Sequence, residues 1–220
     1  CLERHNLKIK LSKCSFFADS VKFLGQIIDA EGRRPDDEYI RRLMKFRHPR
    51  NLAELKAYIG SLEWISRHVY GMKKFMGPLR ELNKGVYNNR TKHRPFDWTD
   101  RHKAAFATLQ TMVSEHTELL HHPVSNKPFI LFTDSSKEYY SGVLLQTKWD
   151  EEEKSEKYVI VDMFSKMWKD CDRRKHITTK ELLAVVDSLK QWKHFLVGSK
   201  FTIHTDSRNI RHLFERTNTQ

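Results

Sequence analysis

The sequence predicts two halves of different texture: a mainly helical first half opened by a short β-hairpin, and a second half folded as an α/β sandwich. Three observations carry this. Between residues 35 and 124 apolar positions recur at helical spacing, with Asn, Thr and Gly at the helix ends. From Pro128 onward come continuous apolar runs, the mark of buried strands. One long amphipathic helix then separates the third of these runs from a fourth. The chain has 220 residues, 39% of them apolar, enough for one large domain or two small ones.

The elements follow in order. Leu7-Lys8-Ile9-Lys10-Leu11 alternates apolar and charged residues, the period of a half-buried strand. Val21 to Ile28 reads as a further strand closed by the turn Asp29-Ala30-Glu31-Gly32, so two or three short strands should form a hairpin. Pro35-Asp36-Asp37 starts a helix through Tyr39, Ile40, Leu43 and Met44 that stops near His48-Pro49. Asn51, with Glu54 three residues on, is a capping box for a longer helix whose Leu52, Leu55, Ile59, Leu62 and Ile65 share one face. Gly71 breaks that pattern, and Phe75 to Leu82 makes a short helix around Pro78. Residues 83–95 read as a polar loop. Thr99-Asp100 caps a helix bearing Ala105, Phe106, Leu109, Met112 and Val113, and His121-His122-Pro123 ends the helical half near residue 124.

Beyond it, Pro128–Thr133, Val143–Leu145 and Tyr158–Val161 are strands, with the acidic Asp150-Glu151-Glu152-Glu153 as a solvated turn. A helix spans Thr179 to Leu196, with Leu182, Val185, Val186, Leu189 and Trp192 as its apolar positions; Phe201–Thr205 is a fourth strand, and Ile210 to Phe214 begins a last helix.

Composition narrows the function. No window approaches eighteen uncharged apolar residues, so no membrane partner is expected. The start Cys1-Leu2-Glu3-Arg4-His5 has no signal core and no initiator Met, which reads as an intracellular (cytoplasmic or nuclear) fragment or processed piece rather than a secreted chain. Cys1, Cys14 and Cys171 form neither a disulfide framework nor a zinc-ligand pair. Forty Lys and Arg against twenty-eight Asp and Glu give +12, of which +9 falls in residues 1–124 (23 basic, 14 acidic). Such a basic half suits a polyanion, whose neutralised phosphates release counterions; a merely soluble basic surface is the plainer alternative. Trp64, Arg67, His68, Tyr70, Lys73, Lys74 and Phe75 interleave rings with bases; Lys56, Arg67, Lys73 and Lys74 suit phosphate contacts that position a duplex without reading its sequence. No Gly-rich phosphate loop and no triad-like Ser and His pattern is present.

Three carboxylates stand at telling places. Asp134 ends the first buried strand, Asp206 ends the fourth, and Glu181 lies in the first turn of the long helix. Ligands gather at strand ends in α/β sheets, and clustered carboxylates need a hard cation such as Mg²⁺ or Mn²⁺. Two such ions would activate a water and stabilise the leaving oxygen of a phosphodiester. Each residue also has a plainer explanation: Asp134 as turn chemistry, Glu181 as the partner of a Thr178 cap, and Asp206 as the cap of the following helix.

Collinear motifs add a resemblance. Lys13-Cys14-Ser15-Phe16-Phe17 and Val21–Ile28, then Pro49, Leu52, Leu55, Gly60 and Trp64-Ile65, then Phe96-Asp97-Trp98-Thr99, Lys127–Ser136, Lys180–Val186 and Trp192–Asp206 together resemble the reverse transcriptase–ribonuclease H region of gypsy-like LTR retrotransposon polyproteins. The resemblance implies the end of a palm with a primer-gripping hairpin at residues 1–34, including Phe23, Leu24 and Gly25. It implies thumb and connection helices at 35–124, and a ribonuclease H-like α/β/α sandwich with a mixed sheet at 125–220, lacking its C-terminal end. It further implies Asp134, Glu181 and Asp206 as catalytic ligands of two Mg²⁺ or Mn²⁺ ions, with a fourth carboxylate beyond residue 220. The expected partners are an RNA–DNA hybrid, whose RNA strand is hydrolysed, primer–template duplex, and the rest of the polyprotein. The polymerase aspartates are absent. Tyr139 and Ser141 stand where the family usually has glycine, although Gly142 remains, so a non-catalytic nucleic-acid-binding remnant is the alternative reading.

Overall fold

A computed structural model of the chain describes residues 3–6, 8–84, 98–208 and 210–211. The hairpin differs from the sequence expectation. Residues 8–10 join no strand, and Leu11–Lys13 is a 3-10 turn; Ile9 and Leu11 are exposed because no neighbouring strand covers them. Val21–Ile28 is two strands rather than one: β1 (Ser20–Phe23) and β2 (Gln26–Asp29) are joined by Leu24 and Gly25. Those two residues have φ +48° and +80°, the paired left-handed values of a two-residue hairpin loop, which Gly25 makes accessible. The turn at Asp29 is as expected: its carboxylate accepts from the backbone N–H of Glu31 and Gly32. It leads into β3 (Gly32–Pro35).

Helix α1 (Asp37–Met44) starts at Asp36, whose side chain accepts from Glu38 N–H and pairs with Lys22 at 3.1 Å. In α2 (Leu52–Ile65), Asn51 caps Glu54 N–H at 2.9 Å, while the Glu54 carboxylate reaches Arg50 N–H at 2.8 Å, one residue beyond the usual box. Its buried face is Leu52, Leu55, Tyr58, Leu62 and Ile65, with Ile59 only half-buried. Gly71 (φ +68°) ends the run. In place of one helix around Pro78 there are two, α3 (Met72–Phe75) and α4 (Gly77–Lys84). Pro78 sits in the first turn of α4, where its missing N–H would have had no partner. Asn83 and Lys84, expected in a loop, close α4; residues 85–97 lie outside the described residues.

Helix α5 (Asp100–Glu115) begins at Thr99, whose backbone N–H and hydroxyl both meet His102 Nδ1. Its Phe106, Leu109 and Val113 close a core with Leu43, Leu55, Tyr58, Leu62, Ile65, Val69, Met72, Met76 and Leu79. Where the sequence ends the helical half, Leu120–His121 is a short strand, β4, antiparallel to β3; the first sheet thus has the order β1-β2-β3-β4.

The second sheet has the order β7-β6-β5-β8, from β5 (Phe129–Ser135), β6 (Tyr139–Asp150), β7 (Ser155–Met167) and β8 (Phe201–His204). β5, β6 and β7 run antiparallel and β8 runs parallel to β5, so the sheet is mixed. Between β7 and β8 come α6 (Asp170–Arg173), α7 (Ile177–Gln191) and α8 (Lys193–Leu196). The expected helix 179–196 is therefore interrupted at Trp192. Of the expected apolar positions Val185 and Trp192 are buried, while Leu182, Val186 and Leu189 are only half-buried; Lys180, Ala184 and Ser188 are buried as well. The reason lies opposite, at Gly142, where an added Cβ would stand 2.8 Å from Ser188 Oγ and 2.9 Å from rings of Phe164 and Trp192. Helix and sheet approach so closely that only small side chains fit between them.

The two sheets adjoin along β4 and β7. Across the junction Arg33 pairs with Asp162 at 3.2 Å, and the other oxygen of that buried carboxylate accepts from Trp192 Nε1 at 2.9 Å. His68, fully buried, is held at both ring nitrogens, by Gln26 Nε2 and by the Glu118 carbonyl, each at 3.1 Å.

Candidate active site

The register of β5 decides which side chains meet. Leu131 opposite Leu144, Thr133 opposite Gly142 and Ser135 opposite Tyr140 point toward α7. Alternate residues point away from it: Phe132 opposite Val143, and Asp134 opposite Ser141. On the other flank Phe132 pairs with His204 of β8, the two rings stacked at 4.6 Å. Asp134, still in β5, and Asp206, past the end of β8, each lie two residues beyond that pair in sequence, and both are exposed. Asp134 is inside its strand rather than at the turn that follows, because Ser135 still pairs with Tyr140.

Glu181 comes from α7, which packs on β5 and β6. The sequence puts it in a capping box with Thr178; the structure instead caps α7 with His176, whose Nδ1 accepts from Thr178 N–H. The helix therefore starts two residues earlier, and half-buried Glu181 stands beyond its first turn. The helical turn that includes Arg208 and Arg211 is likewise anchored on Ser207, whose carbonyl accepts from Arg211 N–H, rather than on Asp206. Among the described residues no hydrogen bond or ion pair engages the carboxylates of Asp134, Glu181 or Asp206, whereas Asp29, Asp36, Asp150, Asp162 and Asp172 are all paired with cations.

Such carboxylates are hard oxygen donors of the kind that Mg²⁺ or Mn²⁺ takes. Among the described residues, however, no three His, Cys, Asp or Glu side chains are grouped closely enough to hold a metal ion. The donor chemistry fits a divalent cation, and the described arrangement falls short of a complete ligand set.

Sequence reasoning missed the contacts that hold the loop after Asp134. Lys180, almost fully buried, donates from Nζ to the Lys137 carbonyl at 2.8 Å. Trp168 donates from Nε1 to the Ser136 carbonyl and from its backbone to Glu138. The helix that carries Glu181 is thereby tied to the turn that follows Asp134. The available signal was the run Lys180, Ala184, Ser188, a stripe of period four with a lysine at its head. Tyr139 and Ser141 line the cavity side of the sheet, while the Tyr140 ring stacks on Trp168 at 4.0 Å and its hydroxyl donates to Asp187 at 2.6 Å. Burial and that carboxylate push the Tyr140 phenol well above its usual range. A cavity of about 350 Å³ stays open beside Asp134.

The basic residues separate by environment. Phe23, Leu24 and Gly25 form the exposed tip of the first hairpin, with Gly25 against the Trp64 ring. Lys56 is exposed on α2 and Arg67 is exposed beyond its end. Lys73 pairs with Glu63 at 2.7 Å, and Arg80 pairs with the same carboxylate. Burial, with Arg67 nearby, lowers the Lys73 pKa. Lys74 is exposed and lines the Asp134 cavity.

A mixed sheet of this order, with a helix packed on β5 and β6, is a ribonuclease H-like α/β fold. Residues 98–203 match the family model described as the RNase H-like domain found in reverse transcriptase. The polyproteins of transposons Tf2-3 and Tf2-4 of Schizosaccharomyces pombe are each 29% identical over 211 residues, 95% of this chain; the chain spans 15% of their length. A foamy viral protease-reverse transcriptase solved with dsDNA superposes with a TM-score of 0.72 at 16% identity, covering 93% of this chain and 40% of that one. The same viral protein solved with an RNA/DNA hybrid gives 0.67 at 17% identity, covering 88% and 24%. Residues 98–203 thus match the RNase H-like domain found in reverse transcriptase, and the chain as a whole is similar to a segment of transposon polyproteins. No helix among the described residues is long and apolar enough to cross a membrane.

Proposed function

We propose that this chain binds RNA–DNA hybrid and hydrolyses its RNA strand, with residues 125–220 as the nuclease and residues 35–124 holding the duplex as thumb and connection. The observation that carries the reading is the pair Asp134, in β5, and Asp206, two residues past the end of the parallel strand β8, both exposed and free of any donor or cation among the described residues. Carboxylates left without protein donors at one end of the sheet of a basic protein are hard oxygen ligands that suit a cation-binding role. Asp134, Glu181 and Asp206 would hold two Mg²⁺ or Mn²⁺ ions; the bound ions would supply an activated water and neutralise charge on the phosphate. The chain's own part is to fix the turn after Asp134 through Lys180 and Trp168 and to present the carboxylates at a sheet end open to a duplex. Phe23, Leu24 and Gly25 at the hairpin tip, with Lys56, Arg67, Lys73 and Lys74, would contact primer–template or hybrid backbone, and an intracellular setting within a larger polyprotein is part of the same reading.

The test is Mg²⁺-dependent cleavage of an end-labelled hybrid by the chain placed in its polyprotein context, beside Asp134→Asn. Cleavage is expected to need the metal and to vanish in the variant; equal cleavage by Asp134→Asn overturns the roles. A second reading, a nucleic-acid-binding remnant without catalysis, is favoured by the incomplete ligand grouping. It predicts salt-dependent hybrid binding and no cleavage with either metal.

A further inference from the structure

We propose that the cavity beside Asp134 is a composite nucleotide subsite, walled on one side by the ribonuclease H-like sheet and on the other by Tyr70, Lys74 and Phe75 of the helical half. It rests on the hybrid-hydrolysis reading above and names what would seat the substrate there. Asp134, Ser136, Ser141 and Ser165 line the sheet side. Tyr70 is locked to that side by a 3.2 Å hydrogen bond between its hydroxyl and Ser141 Oγ, and Ser141 is the cross-strand partner of Asp134 itself. The volume, about 350 Å³, has the scale of one nucleotide rather than of a duplex.

The chemistry of the wall points the same way. Of the neighbouring cations, Lys73 and Arg80 are both neutralised by Glu63. Lys74 has no ion pair among the described residues and lies 5.9 Å from the centre of the Phe75 ring. The Tyr70 and Phe75 rings are both exposed at the rim. An unpaired ammonium offers a phosphate contact, an exposed ring offers a base a stacking face, and serine hydroxyls offer a sugar hydrogen bonds. None of Tyr70, Lys74 and Phe75 lies within the matched segment 98–203. The nuclease site would thus take part of its substrate wall from outside the nuclease domain, so that a nucleotide reaching Asp134 is gripped by the helices that hold the duplex.

The experiment compares hybrid binding by fluorescence anisotropy in EDTA for the full chain, Lys74→Ala, Phe75→Leu and, as a control, Lys148→Ala. Lys148 is an exposed lysine near the other end of β6. Lys74→Ala is expected to weaken binding roughly 5- to 10-fold at low salt and to lower the salt slope by about one. Phe75→Leu keeps the apolar volume but loses the flat face, and should weaken binding at least about 5-fold. Lys148→Ala should stay within about twofold. In Mg²⁺, Lys74→Ala should raise KM for hybrid cleavage more than it lowers kcat. Lys74 is on the surface, so its variant carries the test even if Phe75→Leu lowers stability. Hybrid binding by the parent with Lys74→Ala and Phe75→Leu unchanged overturns the subsite alone; a parent that does not bind hybrid overturns the functional reading and the subsite with it.

Discussion

Lowering the pH from 7 to 5 should destabilise the protein through His68, by an amount the structure sets. The imidazole is fully buried, with Nδ1 directed at the Glu118 carbonyl and Nε2 at the Gln26 amide. A neutral ring satisfies both, donating at Nδ1 and accepting at Nε2; a protonated ring would have to aim a second N–H at a side-chain amide. Burial is the largest influence and lowers the pKa from 6.5 to about 4; the Glu118 carbonyl opposes it, and Arg33 adds to it. With the folded value below the unfolded one, the unfolded chain binds the extra proton first. Stability is then complete above pH 6.5, falls as pH drops, and stops falling below about 4. At about 1.4 kcal/mol per unit, the loss is roughly 2 kcal/mol at pH 5 and ~3 kcal/mol in all. His121, lowered chiefly by burial but less enclosed, adds in the same direction. The surface acids with lowered values, Asp29, Asp36, Asp150, Glu156 and Asp172, lose their contribution only at lower pH. The assay is urea unfolding followed by tryptophan fluorescence at half-unit steps between pH 7.5 and 5, for wild type and His68→Gln. The variant should be less stable at pH 7.5 and keep only the smaller pH slope left by His121. A wild-type profile that is flat to pH 5, or a variant that keeps the wild-type slope, refutes the reasoning.

Other expectations follow from contacts already described. Gly142→Ala should cost about 1–3 kcal/mol by overpacking, since the new methyl meets Ser188, Phe164 and Trp192 inside 3 Å; a thermal melt within a degree of wild type would count against that close approach. Asn51→Ala should cost about 1 kcal/mol, read as a shift in the denaturant midpoint with an unchanged slope. Lys180→Met removes the tie between α7 and the turn after Asp134. It should lower hybrid cleavage at least about tenfold and weaken the Mg²⁺ dependence of the rate more than it weakens hybrid binding. Unchanged metal dependence would leave Lys180 a packing residue only.

Much of this architecture was legible because it rests on local rules. Asn51 and Thr99 begin helices where their side chains reach the first turn, and the apolar run after Pro128 is a strand whose Phe129 and Leu131 are buried while Phe132 is exposed. Asp134 and Asp206 were legible as acids near strand ends, although Asp134 lies inside β5 and Asp206 two residues past β8. What escaped were features set by a distant partner. Leu24-Gly25 closes a hairpin inside what reads as one strand, and only the pairing of β1 with β2 reveals it. Leu120–His121 is a strand because β3 offers an edge. Lys180 and Ser188 are buried although polar, because Gly142, far away in the chain, lets α7 descend onto the sheet. Lys73 and Lys74 are indistinguishable in sequence, yet Glu63 neutralises one and leaves the other to the cavity.

The carboxylate of Asp162 links the first sheet to the end of α7 by accepting from Arg33 with one oxygen and from Trp192 with the other. Removing either donor leaves a buried anion only half satisfied, so removing the Asp162 carboxylate as well should cost less than removing it from the intact set. Arg33, Asp162 and Trp192 ought therefore to drift as a set among diverging relatives of this chain. An exchange of domains between two such relatives should survive only where β3 and β7 arrive with matched partners.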